Sequence, residues 1–262
     1  MTFKRGILIG VVLVFLVLLI NEGLIGINDL DEPLFFEHHI DFSLDGRILN
    51  TKIYYVKNSG DRREVEKIDL DNKLTLHVDS AKTTKYGLLT LVELDLYSYM
   101  NDFEEESTIE VIDVTYNDGS NQIVDIGQIN IVEVTNNEVF RFRYAEHSDK
   151  GTEFVIYDVS ETVEVTAYDF NHPIEDDIEL FISVDGRSYQ VLDEAKVLDE
   201  NLPVTVDKKF KVSARMPSDS YLIYDVQLKF KTSKGDMDLS NYTYRPALDR
   251  DSVRTFVESR KK

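Results

Sequence analysis

From Pro33 to Arg245 the chain alternates apolar and polar residues with a period of two, and no other feature narrows the fold as much. Phe36, His38, Ile40, Phe42 and Leu44 alternate with Glu37, His39, Asp41 and Ser43. Further runs of this kind lie near 49–57, 72–79, 88–99, 108–116, 122–134 and 139–144. They continue near 152–158, 162–170, 178–184, 187–192, 204–214, 221–232 and 237–244. The segments "KNSGDR", "NDGSN", "TNNE", "HSDKG", "DENLP", "MPSDS" and "SKGD" punctuate them with turn-forming residues. Successive side chains on a strand point to opposite faces, so this pattern describes half-buried strands joined by turns. Without helical runs between them, the strands predict an all-β protein of antiparallel sandwiches. Tyr, Phe, Val, Ile and Thr are plentiful and the first alanine is Ala81, which agrees with that reading.

Three Asp-Gly pairs suggest where hairpins close. If Asp45-Gly46 is a two-residue loop, Phe42 faces Leu49, His38 faces Ile53 and Phe36 faces Tyr55, which gathers the apolar residues on one face. Asp185-Gly186 treated the same way sets Ile182 against Tyr189 and Leu180 against Val191. At Asp118-Gly119-Ser120 a three-residue loop, with glycine in the left-handed position, sets Val114 against Val124 and Ile112 against Ile126. The likeness of "SLDGR" and "SVDGR", about 140 residues apart, raises the expectation of a duplicated module. With 262 residues there is room for two, and "HSDKG" at 147–151 is the predicted boundary between domains at 34–146 and 151–246. The one convincing helical stretch is "LDRDSVRTFVESR", where Val253 and Val257 share a face, inside a basic tail at 247–262.

The N-terminus is different in kind. Gly6–Ile20 is unbroken apolar sequence, and residues 6–27 together would span about 33 Å as a helix. Lys4 and Arg5 precede the run, Asp29, Asp31 and Glu32 follow it, and the small-residue pattern of a cleavage site is missing. The expectation is a cytoplasmic start at 1–5, a transmembrane signal anchor at 6–27, a linker at 28–33, and nearly all of the chain outside the cell membrane. Residues 21–244 hold 21 Lys/Arg against 46 Asp/Glu. A body so acidic repels nucleic acid, whose binding depends on neutralising cations.

Sequence signals for chemistry are sparse. With no cysteine in the chain, thiolate zinc sites, cysteine nucleophiles and disulfides are excluded. The motifs G-x-S-x-G, G-x-x-x-x-G-K-[ST] and H-E-x-x-H do not occur. His38 and His39 are adjacent on a strand and so point to opposite faces, with His38 expected as a hydrogen-bonded core histidine. Among the acidic clusters "DLDN" (69–72), "NDFEEE" (101–106) and "PIEDD" (173–177), the last offers Glu175, Asp176 and Asp177 as candidate Ca²⁺ ligands, since calcium takes oxygen donors. No catalytic residue and no other cofactor is predicted.

Across roughly 34–245 the strand pattern resembles the immunoglobulin-like modules of many bacterial surface proteins, though without the Cys…Trp…Cys pattern of antibody domains. That resemblance implies two immunoglobulin-like β-sandwich domains after the transmembrane helix. The functional expectation is a membrane-anchored, non-catalytic envelope protein that binds another protein or serves as a scaffold. An extracytoplasmic sensor or accessory subunit of a membrane complex is the alternative, and an acid-based hydrolase ranks behind both.

Overall fold

The computed structural model describes residues 30–44, 48–71, 73–99, 106–133, 138–148, 152–172, 179–184, 196–197, 202–215, 221–238, 242–246 and 248–260. These form an all-β, sandwich-like fold. The first half comprises β1 (Leu34–Phe35), β2 (His38–Ser43), β3 (Ile48–Asn58), β4 (Val65–Leu70), β5 (Leu74–Tyr86), β6 (Leu89–Tyr99), β7 (Ser107–Tyr116) and β8 (Asn121–Val132). The second comprises β9 (Phe140–Ser148), β10 (Thr152–Val159), β11 (Val163–Phe170), β12 (Glu179–Val184), β13 (Lys196–Val197), β14 (Val204–Val206) and β15 (Lys209–Arg215). It continues through β16 (Ile223–Val226), β17 (Leu228–Thr232), β18 (Gly235–Asp238) and β19 (Tyr242–Tyr244) to a helix, α1 (Arg250–Arg260).

In the first half the strand order is β1-β3-β6-β5-β4-β7-β8-β2. β1 and β2 stand at opposite ends of that order, yet only Phe36 and Glu37 separate them in the chain. The sheet must therefore curl back on itself. Its inner face encloses one core, with Ile53, Ile68, Leu70, Leu76, Val114, Ile126, Ile129 and Ile131 almost wholly out of solvent. β2 runs parallel to β8 through six residue pairs, from His38 opposite Gly127 to Ser43 opposite Val132. Gly127 has φ +96°, and a Cβ there would lie 2.6 Å from the His38 carbonyl oxygen, so this close approach requires glycine.

The second half builds a five-stranded sheet, β13-β12-β15-β10-β9, and a four-stranded sheet, β14-β11-β17-β18. Val155, Tyr157, Phe210 and Val212 from one meet Val165, Leu228 and Phe230 from the other in a second core. β16 and β19 leave this pair of sheets and join the first one, because β16 pairs in parallel with β2 and antiparallel with β19. The two halves thus share a ten-stranded sheet.

α1 begins at an Asp249 cap, whose carboxylate accepts the Ser252 N–H at 2.9 Å. Val253, Phe256 and Val257 are buried in a third cluster with Leu30, Phe36, Tyr54, Val56, Leu89, Leu91 and Ile223. The Phe256 ring stacks on Phe36 at 4.0 Å. The helix expected from Val253 and Val257 is present, and Phe256 is the anchor that the valine spacing left out.

Most expected strands are present, but two hairpins are not as the Asp-Gly spacing suggested. β2 and β3 are not neighbours: β2 lies between β8 and β16, and β3 between β1 and β6. Phe36 and His38 therefore do not face Tyr55 and Ile53 across a two-residue turn. The chain instead crosses from one sheet edge to the other at Phe36–Glu37, which period-two patterning cannot reveal because both edges need the same alternation. Similarly, Ile182 is flanked by Lys196 and Val212 rather than Tyr189. Residues 45–47 and 185–195 themselves lie outside the described residues.

The third loop has the expected length, shifted by one residue. Asn117-Asp118-Gly119 joins Tyr116 to Ser120, Gly119 has φ +82°, and Val114 lies opposite Gln122. The two Asp-Gly strands occupy non-equivalent places, since β12 pairs antiparallel with β13 and β15 while β2 pairs in parallel with β8 and β16. The duplication read from them is not carried by this topology. β4 was missed because a register shift between Val65 and Lys67 breaks its alternation. Among the described residues no helix is long and apolar enough to cross a membrane, and the predicted anchor at 6–27 lies outside them.

Candidate functional site

Chemistry-bearing side chains converge where β2 is flanked by both halves of the protein. Alternation along β2 sends His38 one way and His39 and Asp41 the other. His38 is fully buried. Its Nδ1–H donates to the Phe36 carbonyl at 2.7 Å and its Nε2 accepts the Tyr54 N–H at 3.2 Å. The side chain thereby replaces a ladder partner for Tyr54 where the chain has crossed to the other sheet edge. Burial disfavours the imidazolium and lowers the pKa of His38 from 6.5 to about 3. It is the core histidine that the sequence led us to expect.

On the other face, the Asp41 carboxylate is wholly enclosed. Its Oδ2 accepts the Gln227 backbone N–H at 2.8 Å. Its Oδ1 lies 2.9 Å from His172 Nε2 and 3.1 Å from Asn130 Nδ2. Asn130 donates its second amide hydrogen to the Asn171 carbonyl, while its Oδ1 accepts from Thr108 and Gln128. With both Asn130 hydrogens so engaged, its 3.2 Å approach to His172 Nε2 is a contact between two donors that share one carboxylate oxygen. The network thus assigns the proton to Nε2 of His172. His172 Nδ1, Asn171 Nδ2 and Gln227 Oε1 have no hydrogen-bond partner among the described residues. His39 stacks on Tyr224 at 5.4 Å and meets the edge of His172 at 5.2 Å, with its Nε2 3.7 Å from Glu37 Oε1.

Asp41 and Asn130 come from the first half, and His172 and Gln227 from the second. A carboxylate–imidazole pair can orient a general base, but both side chains here are 0% exposed, and no described hydroxyl is hydrogen-bonded to His172 Nδ1. The bonds of the cluster join the two halves. Beside it opens a polar cleft of about 340 Å³ lined by Glu106, Ser107, Thr108, Asn130 and Asn171 among others. A second cleft, of about 440 Å³, lies between α1 and the start of β16, where Arg260 reaches Glu37 at 3.3 Å.

The candidates from sequence fall elsewhere. Glu175, Asp176 and Asp177, the calcium candidates, lie outside the described residues. From "NDFEEE" only Glu106 is described, and its carboxylate accepts the Glu133 N–H. Asp69 is bound to Lys67 and Thr75, which together hold its pKa below the usual carboxylate value against the opposing effect of burial. Among the described residues no group of three or more His, Asp or Glu is placed to hold a metal ion. His77 is exposed, with its ring 5.7 Å from Tyr97. The sequence reading missed the Asp41–His172 pair because the partners are 131 residues apart and each sits in an ordinary strand pattern.

Fold and joint together define an all-β protein of two packed cores around a buried polar junction. No family model matches the chain, and no curated protein matches it. Among solved structures, the Streptococcus agalactiae AgI/II polypeptide BspA C-terminal domain aligns with 8% identity and a TM-score of 0.16, covering 81% of this chain and 99% of that one. At that score the likeness carries no argument about fold or function.

Proposed function

We propose that the chain is a membrane-tethered, extracytoplasmic envelope protein whose two immunoglobulin-like sandwiches bind another protein or act as a scaffold, without catalysis. The observation that carries this reading is the use made of the convergent polar groups. Asp41, His172 and Asn130 are buried between the halves, and their hydrogen bonds hold the halves together. The immunoglobulin-like part of the proposal is supported by strand order. An A-B-E-D sheet facing a C-F-G sheet corresponds to β1-β3-β6-β5 and β4-β7-β8 in the first half. In the second it corresponds to β9-β10-β15-β12 and β11-β17-β18. The tether is supported by the apolar run at 6–27 and the basic residues before it.

β9 ends the five-stranded sheet and carries Phe142, which is 55% exposed. It offers a place for strand addition by a partner. A photocrosslinking residue at Phe142 in intact cells should capture one specific protein, while the same probe at Glu164 on the other sheet should not. Repeated capture of nothing at Phe142 would count against a binding role. Membrane fractionation of cells with 6–27 deleted tests the tether separately. The sensor reading is favoured by one observation: β2, which follows β1 after only two residues and so lies close to the anchor in sequence, runs through the joint itself. Replacement of 6–27 by an unrelated span would abolish a sensor's function and spare a simple tether. The calcium proposal at Glu175, Asp176 and Asp177 predicts a higher melting temperature in millimolar Ca²⁺ that the triple alanine variant lacks.

A further inference from the structure

The joint has a direction as well as a composition. The chain enters at Leu30, whose N–H and carbonyl are both held by the Asn58 side chain, at 3.1 and 2.7 Å. It then passes through β1 and the Phe36–Glu37 step into β2. β2 and β16 run parallel, with Ile223, Tyr224 and Asp225 opposite His38, His39 and Ile40. The Ile223 N–H also donates to the Glu37 carbonyl at 3.0 Å. Past Gln227 the same strand becomes β17, at the centre of the second half between β11 and β18.

A pull on the chain at Leu30 draws β2 out by its N-terminal end. The same pull resisted by the second half holds β16 by its C-terminal end. Parallel strands loaded at opposite ends slide along their axes, so the bonds between them share the load at once. Strands pulled apart from the same end open one pair at a time. Asp41 extends the contact beyond the ladder, since one oxygen holds the Gln227 N–H and the other holds His172 at the end of β11. With both side chains of the Asp41–His172 pair fully enclosed, water is not at hand to replace these bonds as they stretch.

We propose that the β2–β16 contact, bolted by Asp41, is a mechanical clamp that carries tension between the anchor-proximal end of the chain and the second sandwich. The proposal rests on the tethered reading for its biological use. α1 backs the clamp, with Phe256 on Phe36 and Arg260 on Glu37 at the step just before β2. Forced opening reports the unfolding barrier along the pulled direction, so the clamp predicts a barrier that depends on where force is applied.

The test is single-molecule force spectroscopy on the full chain in detergent micelles. Because the chain lacks cysteine, introduced cysteines are unique handles. Asp31→Cys with Ser160→Cys pulls across the clamp, whereas Asp31→Cys with Asn121→Cys peels β2 from the beginning of β8. The first pair should rupture at higher force than the second at every loading rate. His172→Phe should lower the force of the first pair and leave the second unchanged. Equal or lower force across the clamp would overturn the proposal, and the wild-type comparison holds even if the His172 variant folds poorly. These readings are made on purified protein. A failure of tethering would appear only in cell fractionation, and a failure of the clamp only in the force comparison.

Discussion

Replacing His38 with glutamine and following stability from pH 7 to pH 4.5 isolates one buried titration. Folded His38 has its pKa lowered from 6.5 to about 3 by burial. The unfolded chain therefore takes up this proton first as pH falls. The contribution of neutral His38 is complete above pH 6.5 and is lost progressively between pH 6.5 and about 3. At about 1.36 kcal/mol per pH unit, the step from pH 6.5 to 4.5 removes about 2.7 kcal/mol. His38→Gln keeps an acceptor for the Tyr54 N–H, loses the bond to Phe36, and does not titrate. At pH 7 the variant should be less stable by about 1–2 kcal/mol, the worth of a buried hydrogen bond. By pH 4.5 that gap should close and reverse. Urea unfolding of both proteins at matched pH measures it, and the many carboxylates cancel in the difference. An unchanged gap at the two pH values would refute the reasoning.

Asp41→Ala leaves the Gln227 N–H and His172 without their acceptor and should cost about 3–5 kcal/mol in urea unfolding, as for a broken buried pair. Phe256→Ala should cost about 3–5 kcal/mol and open α1 to limited proteolysis before the sheets are cut. Gly127→Ala meets the His38 carbonyl at 2.6 Å with φ +96°, and should lower stability by about 1–3 kcal/mol. A thermal melt of the Gly127 variant checks this against Gly60→Ala, where a Cβ meets nothing within 4 Å.

Strand positions were legible because alternation is local. Apart from β4 and β13, the strands from Ile48–Asn58 to Tyr242–Tyr244 fall near where the pattern put them. Strand pairing was not legible, because a strand's inner and outer faces do not say which neighbour it has. His38 was read correctly since its apolar setting is visible within five residues. The Asp41–His172 pair needed contact between elements 131 residues apart. Each residue alone fits a wet strand face or a loop, so neither stands out. The Asp-Gly pairs misled for a related reason: the dipeptide favours a turn, but a turn need not return the chain to its own neighbour.

The step from β1 to β2 also sets a timetable. β2 closes the first sheet only by bonding to partners made much later, with Asn130 lying 89 residues on from Asp41 and Gln227 186 residues on. At synthesis rates of about 5–20 residues per second, the wait for Gln227 lasts roughly ten to forty seconds. Until β8 is made β2 has neither of its neighbours, and until β16 is made one of its edges stays open, and such an edge invites the wrong neighbours. A slow-down of synthesis before Ile223 would lengthen the exposure of that one edge of His38–Ser43, so a strand made early is completed late.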